Sequence, residues 1–73
     1  MSPSAREVLA DNLKRLRFER GWSQEELAHR AGLHRTFVAH VERQVRNISL
    51  DNIERLADAL EVKISVLLDV LSK

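Results

Sequence analysis

The sequence predicts an all-α bundle of five short helices, and three observations carry that expectation. Apolar residues recur at spacings near 3.6 along every long segment, and no stretch alternates with period two. Serine-led capping signals and the two glycines divide the chain at short intervals. No internal repeat, low-complexity run or long linker interrupts the 73 residues, which reads as a single domain, 1–73.

Taken in order, Ser4-Ala-Arg-Glu7 forms a capping box that opens the first helix, whose inward stripe is Leu9, Leu13 and Leu16. Gly21 ends it, because glycine tolerates the left-handed conformation that closes a helix. Ser23-Gln-Glu-Glu26 is a second capping box, followed by Leu27 and Ala31 on one face, and Gly32 stops this helix after about two turns. A third helix is expected over about 35–43, with Val38 and Val41 inward. Asn47 or Ser49 caps a fourth, with Asp51 and Glu54 near its positive end and a stripe of Leu50, Ile53, Leu56, Ala57 and Leu60. The last helix is expected at about 65–71. There Ile64, Leu67, Leu68 and Leu71, with Val66 and Val70 besides, cover more than one face and point to burial on two sides.

Composition narrows the function. The chain has no cysteine, which removes disulfides, thiolate metal sites and cysteine nucleophiles. Hydrophobic residues at 44% beside 32% charged residues fit a folded domain and not a disordered tail. No apolar run approaches the roughly 18 residues of a membrane span, and Met1 to Arg6 lacks an apolar signal-peptide core, so a cytoplasmic protein is expected. A chain this short buries only about 60% of its unfolded surface, which makes self-association the most available source of extra stability. The net charge of +1 conceals a lopsided distribution. Residues 14–46 hold eight Lys or Arg against four Glu, whereas residues 47–73 hold three Lys or Arg against five Asp or Glu.

Two short helices joined by a tight glycine turn, at about 23–43, fit the helix-turn-helix pattern, although other helical hairpins share that spacing. The residues are more specific. The run GWSQEELAHRAGLHRTFVAHVERQVRN, from Gly21 to Asn47, resembles the DNA-binding domain of phage-repressor-type (XRE, Cro/CI-type) regulators. The resemblance extends to LKRLRFERG on one side and ISLDNIERLADAL on the other, roughly residues 9–71. The length, and HRTF before VER and RN, look most similar to controller proteins of restriction–modification systems. The resemblance implies a lambda-repressor-like five-helix bundle in which helix two crosses the DNA backbone and helix three enters the major groove. It also implies a homodimeric transcription regulator, such as a repressor, on a roughly palindromic double-stranded DNA operator at the nucleoid, with RNA polymerase a further candidate partner. Three positions depart from the family pattern. Gln44 and Glu61 stand where glycine is common, at about 1 kcal/mol each if the backbone there is left-handed. His34 stands where a serine, threonine or aspartate cap is usual.

A recognition helix presents its first turns to base edges. With Val38 and Val41 inward, Arg35, Thr36, Ala39 and His40 face outward, and base readout is assigned to Arg35, Thr36 and His40. The Arg35 fork matches guanine O6 and N7, and Thr36 offers a hydroxyl or a methyl group. Gln24, at the start of helix two, can hold a phosphate together with unpaired backbone N–H groups, the role that the resemblance also implies. His34, Phe37, Arg43, Arg46 and Asn47 complete the expected phosphate contacts; for Phe37, half-burial is the open alternative. Each also has a plainer reading as a solvated surface residue. Arg17 and Glu42 lie at the edges of core stripes, and the resemblance pairs them as a structural ion pair between helices one and three. Trp22 reads as a hydrophobic clasp after Gly21.

An enzyme is not expected. Glu25 and Glu26 are adjacent and project differently, and His29, His34 and His40 are five and six apart, which does not align them as metal ligands. No glycine-rich phosphate loop is present, and neither a metal nor a cofactor is expected. The rival reading is an antitoxin or bridging module with the same fold, which calls for an extension long enough to wrap a partner protein. The chain stops at Lys73, so the exposed edge of Val66, Val70 and Leu71 is read instead as the dimer seam.

Overall fold

A computed structural model of the chain describes residues 3–45 and 47–70. It has five α-helices: α1 (Ala5–Glu19), α2 (Gln24–Ala31), α3 (Arg35–Glu42), α4 (Leu50–Leu60) and α5 (Ile64–Leu67). Among the described residues there is no strand. Three helices start on a serine. Ser4, Ser23 and Ser49 Oγ accept from the N–H groups of Glu7, Glu26 and Asn52 at 3.2, 3.0 and 3.2 Å. Each bond satisfies a donor that the helix itself cannot, a contribution of about 1 kcal/mol. Of the two candidates for capping α4, Ser49 is the cap. At α3 an imidazole takes the serine's place: His34 Nδ1 accepts from the Thr36 N–H at 3.2 Å, which requires Nδ1 to carry no proton.

Four helices end in one way. After α1, α2, α3 and α4, a residue of positive φ turns the chain: Gly21 (69°), Gly32 (71°), Gln44 (62°) and Glu61 (60°). The next N–H then reaches back five residues, from Trp22 to Arg17 O, Leu33 to Ala28 O, Val45 to His40 O and Val62 to Ala57 O, at 2.8–3.1 Å. This six-to-one bond is the Schellman closure. At two of the four sites the left-handed position is occupied by a residue with a Cβ, which is strained there.

α1 packs on α3 and α5, α2 on α3 and α4, and α4 on α5. The core comprises Leu9, Leu13 and Leu16 of α1, Leu27, Ala28 and Ala31 of α2, Val38 and Val41 of α3, Ile53, Leu56, Ala57 and Leu60 of α4, and Leu67. Trp22 is partly buried against it, under the Arg30 guanidinium at 4.3 Å from the ring centre. Arg20 fastens the ends of α1 and α4 by donating to Leu16 O and Leu60 O.

Two expectations need correction. Leu50 does not join the inward stripe of α4; it is 68% exposed, because as the first helical residue it lies beyond the end of the packed face. The last helix is shorter than expected, a single turn at Ile64–Leu67, and of its residues only Leu67 is buried. The carbonyls at its end are held from α1. Asn12, 1% exposed, donates through Nδ2 to Leu67 O and Asp69 O at 2.8 Å each and to Val66 O at 3.3 Å. These bonds satisfy carbonyls at the end of α5 that the helix itself leaves unpaired. Val66, Leu68 and Val70 lie exposed along the C-terminal edge, and Leu71 is outside the described residues. No described helix is long and apolar enough to cross a membrane.

The strained closures give a direct test. Glu61→Gly removes the Cβ at φ 60° at the expense of a freer unfolded chain, a net gain of about 0.5–1 kcal/mol. Thermal unfolding should show a midpoint raised by a few degrees, and Gln44→Gly should act independently in the same direction.

Candidate nucleic-acid interface

The tight turn Gly32–His34 sets α3 across the start of α2. Gly32 permits the left-handed turn, Leu33 packs against the core, and His34 caps the new helix. Because Val38 and Val41 are buried, the opposite side of α3 faces outward. Arg35, Thr36, Ala39, His40 and Arg43 line one open groove of about 420 Å³, and Ser23, Gln24 and Glu25 from the start of α2 complete it. Arg35, Thr36 and Arg43 are exposed; Gln24, Ala39 and His40 are half-buried. Ser23 Oγ occupies one N–H of the first turn of α2, and those of Gln24 and Glu25 have no acceptor within the helix. The groove therefore offers two guanidinium groups, a hydroxyl, an imidazole, a carboxamide and the positive end of a helix.

Other residues singled out from the sequence lie elsewhere. His34 lines a neighbouring hollow with Glu25, Ala28, His29, Leu33 and Arg35. Phe37 is half-buried against the core, the alternative that its position had left open. Asn47 faces a separate hollow beside Ala5, Leu9, Ile48, Ile53 and Leu68, where its Oδ1 accepts from Arg6 Nη2. Arg46 is outside the described residues. Glu25 is the residue that sequence reasoning passed over: it borders both hollows beside Arg35, a carboxylate placed among cations.

Behind the groove lies an ion pair. Arg17 Nε and Nη2 donate to Glu42 Oε2 and Oε1 at 2.8 and 3.0 Å, a fork-to-fork arrangement with the residues 8% and 5% exposed. Arg17 Nη1 donates to Trp22 O at 2.9 Å, and Gln24 Nε2 donates to Glu42 Oε1 at 2.9 Å. The pair thus joins the end of α3 to α1 and, through Glu42, to the first residue of α2, while its guanidinium also holds the turn after α1. Nothing in the sequence signals the bond from Gln24, because its partner is 18 positions away on another helix. Among the described residues, no group of three or more His, Asp or Glu could hold a metal ion.

Comparison with known proteins agrees with this geometry. The helix-turn-helix family HTH_3 matches residues 13–67. A hypothetical transcription factor of Neisseria meningitidis serogroup B is 56% identical over 57 residues, covering 78% of this chain and 54% of that protein. The chain therefore spans only about half the length of that relative. Control protein C.BamHI of Bacillus amyloliquefaciens is 40% identical, covering 94% of this chain and 86% of its own length. The crystal structure of the restriction–modification controller protein C.AhdI from Aeromonas hydrophila superimposes with a TM-score of 0.82 at 44% identity, covering 85% of this chain and 94% of that one.

The buried pair predicts an asymmetric response to mutation. Glu42→Leu strands the Arg17 guanidinium and should cost about 3–5 kcal/mol in urea unfolding. The double variant Arg17→Met, Glu42→Leu, which removes both charges, should recover most of that loss.

Proposed function

The chain belongs to the HTH_3 family of XRE-type helix-turn-helix transcription regulators, and from that premise we propose that it acts as a homodimer on a roughly palindromic operator and controls a restriction–modification operon. The observation that carries the site is the single groove shared by Gln24, Arg35, Thr36, His40 and Arg43. A phosphate fits the start of α2, where Gln24 and two free backbone N–H groups converge. The first turn of α3 enters the major groove, with Arg35 bidentate to a guanine, Thr36 against a neighbouring base and His40 one turn deeper. Arg43 follows at the end of the helix as a further phosphate contact. His34 and Phe37 border this surface and hold the first turn of α3 in place.

The dimer reading is supported by exposed apolar surface outside the groove. Val66, Leu68 and Val70 are exposed along the C-terminal edge, and Leu50 stands exposed at the start of α4. An isologous contact through this edge, with Leu71 included, hides that surface and sets two recognition helices about 34 Å apart, one turn of DNA. The likeness to C.BamHI and C.AhdI supports the operon assignment. The regulator then works in the cytoplasm at the nucleoid, by occupying its operator in competition or contact with RNA polymerase.

Binding-site selection from a random duplex pool tests the reading. Arg35→Ala should relax preference at one base pair per half-site, a change of about 1–3 kcal/mol, whereas Gln24→Ala should weaken all duplexes alike and leave the preference intact. An unchanged preference for Arg35→Ala sinks the assigned readout. Sedimentation should give a dimer at micromolar concentration, shifted toward monomer by Val70→Glu; a monomeric wild type removes the seam.

A further inference from the structure

The Gln24 carboxamide is not free to choose which way it faces. Its Nε2 donates to Glu42 Oε1 at 2.9 Å, and an ionised carboxylate only accepts, so turning the amide over would set oxygen against oxygen. Glu42 is itself immobile: both its oxygens are held by Arg17, and it is 5% exposed. We infer that Glu42 is a positioning residue for DNA binding, holding the Gln24 carboxamide through its 2.9 Å bond so that the second Nε2 hydrogen is presented to a phosphate. The inference rests on the reading of Gln24 as a DNA contact.

Two physical consequences make this matter. A glutamine left loose surrenders its rotamer freedom when DNA binds, whereas a glutamine already fastened has lost that freedom during folding. An unfastened amide also spends part of its time with its oxygen outward, where it repels phosphate. Losing the bond should therefore weaken binding up to about tenfold. The link also joins the buried ion pair to the outer surface. Arg17 orients Glu42, Glu42 orients Gln24, and a change in the interior is felt at the phosphate.

The test is a double-mutant cycle on the full chain, with the duplex recovered by binding-site selection as the probe. Gln24→Ala is expected to lose about tenfold or more in affinity. Glu42→Gln is expected to lose roughly fivefold while Gln24 is present, because the new amide can pair with Gln24 in either orientation. In the Gln24→Ala background the same substitution should add less than about twofold. Purely structural damage from Glu42→Gln gives the same loss in both backgrounds, and that additive result overturns the positioning role while leaving the DNA surface intact. No loss from Gln24→Ala overturns the phosphate contact and the positioning role together. If Glu42→Gln fails to fold, nuclear magnetic resonance of the unaltered protein decides. In the free protein one Nε2 proton of Gln24 should exchange with water more slowly than the other; two protons exchanging alike there overturn the inference.

Discussion

The Arg17–Glu42 pair is the constraint on which the arrangement of the helix-turn-helix depends. An isolated helix of eight residues is not stable in water, so α3 keeps its shape only through what its ends and underside touch. Val38 and Val41 fix its underside, His34 closes its first turn, and Glu42 anchors its last residue to α1. Of these, the ion pair alone has direction, since a two-pronged guanidinium–carboxylate contact fixes rotation as well as distance. Taking both charges from water offsets much of their attraction, so the pair matters more for where α3 points than for how stable the domain is.

The distribution of charge follows from the same arrangement. The basic segment 14–46 folds into α2, α3 and the end of α1, while the acidic segment 47–73 contains α4 and α5. A protein can therefore be nearly neutral and still present a cationic surface to a polyanion. Glu25 is a local exception within that surface. It lines the same groove as Arg35, a negative charge among the cations.

How much of this was legible in the sequence depended on the range of the interaction. The serine caps at Ser4, Ser23 and Ser49 and the glycine stops act over three to five residues, and they mark the helix starts and ends directly. The outward face of α3 followed from two inward valines, and the helix-turn-helix resemblance supplied the pairing of Arg17 with Glu42. What escaped was long-range. Leu50 matched the period of α4, but periodicity does not reveal where the neighbouring surface ends. The end of the shortened α5 is held by an asparagine more than 50 positions earlier, in a helix whose apolar stripe gives no hint of it. The hydrogen bond from Gln24 to Glu42 likewise became visible only when α2 and α3 were brought together.

Asn12 has a mechanical consequence. By gripping three carbonyls it welds the C-terminal edge to the middle of α1, and five residues further along the same helix Arg17 grips the recognition helix. The two grips are about 7.5 Å apart along one rigid rod. In a dimer joined through the C-terminal edge, that rod serves as the ruler between the axis of symmetry and the DNA. On the proposed dimeric reading, the spacing of an asparagine and an arginine on α1, remote from any base, then helps to set the separation of the two half-sites.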